Sequence, residues 1–412
     1  MASTNHTIAC LVPGCGESVT DWLGDHLVEV HGLAVDSYEA QHPGTPVMSK
    51  RLKARHDKAT ASTRRAHPPN PDDMTVEFAG LQFKLNAGVP ASACLPLPNH
   101  YELPRFGELG KDIANALVSL FMLRSMYIWG LPGTGKDALF HAFSALTRTP
   151  AIIKQVIPGS DIEAWFFSRG FNESGTHWEE GDVLKALRDG YVCEDGTVVP
   201  YMLLCSDLDR ADRSQAEYLR LITDSIQGRV SGPTGTVYTL LKGTRVVATA
   251  NTAGSGDERG RMVSANPIDA SILDRFERTY EFHLMDWRDE EPIVRAKHPI
   301  LVARAPWVFG KMGKATKALR AAIAGEDLYA EFSHRGLCAI LGHAQDLLVC
   351  SGPTHKVPAS LLRKAARAWW DGLPDKEARD KARTVMDAHL KGGAVNEGNT
   401  GHISNDPLAD LG

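Results

Sequence analysis

From Met126 onward, short apolar runs alternate with stretches in which apolar residues recur every three or four positions. The runs Met126 to Trp129, Ala151 to Ile157, Tyr201 to Cys205 and Thr244 to Ala250 predict strands, and the intervening stretches predict helices. Strands separated by helices in this way imply an α/β fold, a parallel sheet with helices on both faces. Upstream, MTVEFAGLQFKLN predicts two short strands around Ala79-Gly80, and FGELGKDIANALVSLFML predicts a helix running up to the first long strand. Beyond about residue 286 the strand pattern ends. KATKALRAAIAG, RGLCAILGHAQDLLV and SLLRKAARAWWDGL keep helical spacing, which predicts a helical lid subdomain over 286–391.

The ends differ from the middle. Residues 1–48 bear clustered Cys and His and predict a small separate domain, while 49–95 hold a basic, then Pro-rich linker and the two short strands. The α/β domain is expected over 96–285, and the Gly/Asn-rich tail 392–412 is expected to be disordered.

Composition narrows the function. Hydrophobic residues at 43% and charged residues at 23% exclude wholesale disorder, and a net charge of -5 argues against a whole-protein grip on DNA or a lipid surface. The greasiest stretch, ALVSLFMLRSMYIWG, is interrupted by Arg124, so no membrane span is expected. Seven scattered cysteines form no disulfide framework, and with no secretory leader in sight the expected location is the cytoplasm.

The segment Gly130-Leu131-Pro132-Gly133-Thr134-Gly135-Lys136 follows an apolar strand and opens a helix at Asp137 and Ala138. That is the context of a phosphate-binding loop: glycines let backbone amides face an anion, the helix N-terminus adds partial positive charge, and Lys136 reaches the outer phosphates. A Ser or Thr whose hydroxyl binds magnesium is expected after the lysine, and Asp137 stands there instead.

A second departure lies at the tip of the strand ending in Cys205. A magnesium-holding Asp followed by a water-positioning Glu is expected, whereas the chain has Ser206 and Asp207. Both departures concern one metal ion. The two ligands are read as exchanged, Asp137 supplying the carboxylate and Ser206 the hydroxyl, which preserves the count of hard oxygen donors. Asp207 is the candidate to orient the water, with Asp209 as its fallback, and a nucleotide binder without turnover is the competing reading. Asn251, at the end of the strand Thr244 to Ala250, is placed to contact that water or the terminal phosphate.

YIWGLPGTGKD, LLCSDLDRA, TRVVATANTAGSGD and SILDRFERTYEF, in this order, resemble the MoxR group of AAA+ ATPases, most closely the small subunit of aerobic cobaltochelatase, over about residues 98–285. The resemblance implies ATP and Mg²⁺ as cofactors and a ring, usually a hexamer of identical chains. It also implies that Arg275 acts in trans on the neighbouring subunit's site and that Arg335, in FSHRGL, is a second phosphate sensor. PGSDIEAWFFSRGF and GPTGTVYTLLKGTRV resemble inserts that face a partner or the central pore. A von Willebrand A-domain protein is the partner the resemblance suggests.

At the N-terminus, Cys10, Cys15, His26 and His31 have the order and approximate spacing of a Cys₂His₂ zinc finger, with Trp22, Leu23, Leu27 and Val30 expected to pack beneath. The run from Gly24 resembles the helix and exit of prokaryotic Ros-type fingers. Seven Lys and Arg between Lys50 and Arg65 offer a DNA contact through residues 1–70. The functional alternative to a remodelling ATPase is therefore a DNA-associated ATP-binding accessory protein with weak or no hydrolysis, of the kind used in phage or bacterial replication and defence.

Overall fold

The chain divides into two units, Met1–His67 and Pro68–Gly412. The computed structural model describes residues 7–390 apart from 21–22, 32, 34–37, 39, 44, 48, 50–73, 79, 173–174, 213–214, 216–217, 257–264, 329 and 352–356. The expected basic linker and the tail 392–412 lie outside the described residues, as does Trp22.

In the first unit, β1 (Thr7–Ala9) pairs antiparallel with β2 (Ser18–Thr20), and α1 (Gly24–His31) follows. Leu23 and Leu27, four positions apart, are wholly buried against Ile8 and Tyr38. Val30 is 59% exposed, so it stands outside this core, contrary to expectation.

The second unit opens with the hairpin β3 (Thr75–Phe78) and β4 (Leu81–Lys84), then α2 (Gly107–Phe121), β5 (Met126–Trp129), α3 (Lys136–Thr147) and β6 (Ala151–Gln155). Next come α4 (Ile162–Phe166), the hairpin β7 (Phe167–Asn172) and β8 (Gly175–Glu180), α5 (Asp182–Asp189), the short pair β9 (Tyr191–Val192) and β10 (Val198–Val199), and β11 (Met202–Ser206). The series closes with α6 (Leu219–Ile226), the hairpin β12 (Arg229–Ser231) and β13 (Val237–Thr239), β14 (Arg245–Ala250), α7 (Ala270–Leu273) and β15 (Arg278–Glu281).

Five of these strands form one parallel sheet in the order β15-β5-β14-β11-β6. The four predicted long strands all belong to it. β15 joins as an edge strand; its mostly exposed sequence RTYE carries no buried-strand pattern, which is why hydrophobic periodicity passes over it.

Side-chain alternation sorts the central strands onto two cores. Leu203, Cys205, Val246 and Ala248 pack on Ile162, Phe166, Leu184 and Leu187, whereas Met202, Leu204 and Val247 pack on Leu117, Leu120, Phe140 and Phe143. Ser206 is in step with Met202 and Leu204, and Thr249 is in step with Val247. Both therefore emerge on the face covered by α3, the helix that opens with Lys136.

Among the described residues six helices follow: α8 (Trp287–Lys297), α9 (Pro299–Arg304), α10 (Trp307–Ala324), α11 (His334–Cys350), α12 (Leu361–Trp370) and α13 (Lys376–Leu390). Their shared core includes Leu301, Phe309, Met312, Leu341, Leu362 and Met386. Among the described residues no helix is long and apolar enough to cross a membrane.

Candidate functional site

The loop between β5 and α3 owes its path to two glycines. Gly130 has φ 152, and a Cβ there would lie 2.3 Å from the Phe282 carbonyl oxygen. Gly133 has φ 77, and a Cβ there would lie 2.6 Å from Ser333 Oγ and 3.6 Å from Arg335 Cβ. Only glycine fits either place. The second contact seats the start of α11, and with it Arg335, against the phosphate loop.

Lys136 is buried at the head of α3. Its ammonium donates to the carbonyls of Gly130 at 2.7 Å and Leu131 at 3.2 Å, and to Asn251 Oδ1 at 3.2 Å. Burial pulls its pKa down from the usual lysine value, against the opposing charges of Asp137, Asp207 and Asp209. From Asn251 the chain of hydrogen bonds continues, since Nδ2 donates to Asp207 Oδ1 at 3.1 Å. One amide thus ties the loop lysine to the carboxylate at the tip of β11.

Asp207 stands in a left-handed conformation, φ 56, immediately after β11. Its second oxygen accepts from Gln155 Nε2 at 3.3 Å. Asp209 is only 1% exposed and spends one oxygen on the backbone: Oδ2 accepts from the Asn251 N–H at 3.0 Å, the Thr252 N–H at 2.9 Å and the Thr252 hydroxyl at 3.0 Å. Burial pushes its carboxyl pKa up. Asp209 therefore shapes the end of β14, and of the two acids Asp207 is the one whose oxygens meet Asn251 and Gln155 side chains.

Asp137 Oδ1 accepts a 2.7 Å hydrogen bond from the Thr249 hydroxyl. Parallel pairing of Cys205 with Ala248 sets Ser206 beside Thr249 in the next register. Ser206 Oγ is buried and has no hydrogen-bond partner among the described residues. An orphaned hydroxyl next to a threonine-held carboxylate is a hard-oxygen donor set, which fits magnesium.

On the other side of the loop, a cavity of about 110 Å³ is lined by Pro98, Tyr101, Ile113, Gly133, Ala138, Ile293, Lys297 and His334, among others. Tyr101 Oη is buried there without a hydrogen-bond partner among the described residues, and burial raises its pKa. The lining, which adjoins Gly133 to Gly135 of the loop, is mostly apolar with a few polar atoms. These residues carry no motif. The Pro-rich run at 96–104 was the one sequence signal of a shaped loop.

Arg275 lies elsewhere. Its guanidinium donates to Asp224 Oδ1 at 2.6 Å and Thr223 Oγ1 at 3.1 Å on α6, and no hydrogen bond joins it to the phosphate loop of its own chain among the described residues.

In the first unit the four predicted ligands converge. Cys10 Sγ lies 3.6 Å from His31 Nε2, Cys15 Sγ lies 3.2 Å from His26 Nε2, the two imidazole nitrogens are 3.2 Å apart, and all four ligand atoms fall within 4.8 Å of one another. Tetrahedral zinc with Zn–S of about 2.3 Å and Zn–N of about 2.0 Å has ligand edges in this range.

A glycine-built phosphate loop on a parallel sheet, with a lysine, an amide and a carboxylate in one hydrogen-bonded chain, defines a P-loop nucleotide-binding domain of the α/β class. Residues 125–276 match the family model described as an AAA domain of the dynein-related subfamily. That stretch is an AAA+ domain, a class of ATP hydrolases. Among solved structures, the chain is similar to the RuvB Holliday junction branch migration motor of Thermotoga maritima (12% identity, 66% of this chain and 72% of that one, TM-score 0.39). It is also similar to a putative ATPase from Cytophaga hutchinsonii (13%, 82% and 97%, 0.32) and to NtrX from Brucella abortus (13%, 85% and 66%, 0.40). No curated protein matches the chain in sequence.

Proposed function

We propose that the protein is a ring-forming ATPase that binds ATP with Mg²⁺ between the phosphate loop and the tips of β11 and β14 and uses hydrolysis to remodel a partner protein. The observation that carries this reading is the chain Lys136–Asn251–Asp207, which links the phosphate loop, the sensor position and the candidate water-orienting carboxylate through one amide. Backbone amides from Gly133 to Ala138 and the Lys136 ammonium hold the phosphates, and the cavity beside Tyr101 takes the base. Asp137 and Ser206 would hold magnesium, which when bound neutralises charge on the outer phosphates. Asp207 orients a water for in-line attack on the γ-phosphorus; as the water's P–O bond forms, the bond to the ADP oxygen breaks. Arg335 reaches the phosphates from α11. Arg275 serves the neighbouring subunit, where such a finger is worth about 10³ to 10⁵ in rate.

The reading follows the MoxR-like resemblance in suggesting a hexamer and a von Willebrand A-domain partner. At the N-terminus, Cys10, Cys15, His26 and His31 would hold a structural zinc. Steady ATP turnover per chain that rises with protein concentration supports a shared active site; turnover independent of concentration, or none, overturns it. The exchange of ligands has its own test. Asp137→Thr and Ser206→Asp each abolish hydrolysis, and the double variant recovers part of it; no recovery overturns the exchange. Tight, salt-sensitive DNA binding without turnover would favour the accessory-protein reading instead. Pull-down with an Asp207→Asn variant held in ATP identifies the partner.

A further inference from the structure

One cluster of reactive side chains lies beside the nucleotide cavity and takes no part in the proposed hydrolysis. His334 and Cys338 stand one turn apart on α11, so they share a face. Behind them Glu290, wholly buried on α8, is gripped by Arg320 through two hydrogen bonds at 2.8 and 2.9 Å and accepts from His334 Nδ1 at 3.0 Å. With Nδ1 committed to the carboxylate, Nε2 faces Cys338 Sγ at 3.2 Å, and Lys297 Nζ lies 3.1 Å from the same nitrogen. His298, the next residue along from Lys297, is also buried. The thiol thus faces an imidazole held by a buried carboxylate, with an ammonium beside that imidazole, a setting that makes a cysteine nucleophilic. Burial would raise the Cys338 pKa, but His298, His334 and Lys297 outweigh it and bring it down to about 6, while His334 is raised to about 9. Cys338 is partly exposed, so a small reagent can reach it.

We propose that Cys338 is a peroxide-reactive thiolate whose oxidation weakens nucleotide binding through His334. The proposal rests on the nucleotide reading of the cavity that His334 and Lys297 line. The sulfur attacks one oxygen of hydrogen peroxide; the S–O bond forms, the O–O bond breaks, and the leaving hydroxide takes the Nε2 proton of His334 and departs as water. Sulfur is oxidised by two electrons and the peroxide reduced by two, leaving a neutral sulfenic acid beside a neutral imidazole. Oxidation removes the thiolate charge that His334 Nε2 faces at 3.2 Å, so the ring at the cavity wall loses its ionic partner together with its own charge. ATP affinity falls by about tenfold, the size of one lost charged hydrogen bond.

The test uses the full chain. Iodoacetamide alkylation of Cys338, resolved by peptide mass spectrometry, is followed against pH. The expected rate levels off above about pH 6, and His334→Gln moves the profile alkaline by about one unit or more. A profile that still climbs through about pH 8.5, as for a free thiol, overturns the proposal. One equivalent of peroxide alone should raise the Kd of a fluorescent ATP analogue about tenfold, be reversed by dithiothreitol and have no effect on Cys338→Ser, while dimedone added to a parallel oxidised sample should label Cys338. Label on Cys338 with an unchanged Kd also overturns it. If the untreated protein binds no nucleotide, the reading of the cavity fails by itself, while the alkylation profile, which needs no nucleotide, still decides whether Cys338 is a thiolate.

Discussion

The Thr249 hydroxyl donates a 2.7 Å hydrogen bond to the Asp137 carboxylate, joining the third strand of the sheet to the first turn of the phosphate-loop helix. A carboxylate replacing the usual hydroxyl after the loop lysine is longer and charged, and Thr249 fixes where one of its oxygens goes. Thr249→Val keeps the shape and removes the donor. ATP affinity measured in magnesium should fall about tenfold, with little change in EDTA. Equal losses in both conditions would separate Thr249 from the metal site.

Asn251 accepts from Lys136 and donates to Asp207. Asn251→Ala should lower kcat on the order of 10² to 10³ while leaving nucleotide affinity within a fewfold, because in the proposed mechanism the amide meets a group that develops during the reaction. A change in affinity alone, with kcat intact, would make Asn251 a ground-state contact.

Asp209 behaves as a structural acid. Its Oδ2 holds the backbone N–H groups of Asn251 and Thr252, and Asp209→Ala leaves both without this acceptor in a buried place. Denaturation by urea should show a loss of about 1 to 3 kcal/mol. Asp207→Asn, by contrast, should leave stability near that of the parent and remove turnover.

The Cys338–His334 pair sets a pH signature. A histidine raised to about 9 from 6.5 stabilises the fold fully below pH 6.5 and loses that contribution as pH rises through 9. A thiol lowered to about 6 from 9.0 contributes above pH 9.0 and loses that contribution as pH falls through 6. Between 6.5 and 9.0 the folded and unfolded pairs each bind one proton, so the pair gives a plateau. Cys338→Ser removes the second contribution. The urea midpoint of the variant, taken relative to the parent, should fall as pH rises across this interval; parallel pH profiles would contradict the ion pair.

Chelation tests the first unit. Zinc at one ion per chain by atomic absorption is expected, and His26→Ala should release it and loosen the packing of Leu23 and Leu27 beneath. Retention of zinc by that variant would exclude His26 as a ligand.

Sequence carried the phosphate loop, four sheet strands and the Cys/His cluster, because glycine spacing, continuous apolar runs and metal-ligand spacing are local signals. It did not carry Thr249, a threonine near the end of β14 whose role depends on which sheet face it shares with α3. Nor did it mark the base cavity, assembled from the Pro98 loop, α8 and the start of α11, or the buried Glu290, whose partners Arg320 and His334 stand far along the chain. Edge strand β15 lacked the apolar run that marks its neighbours, and Val30 is exposed although Leu27 on the same short helix is wholly buried. Each of these depends on contacts that tertiary structure alone creates.

The close approach of Gly133 to Ser333 has a mechanical meaning. With no side chain on Gly133, the loop after β5 and the first turn of α11 meet as two leaves of one joint, so in the proposed ATPase a tilt of the helical bundle would be felt at the triphosphate. Filling that seam, as Gly133→Ala would, strikes at the coupling between chemistry and motion.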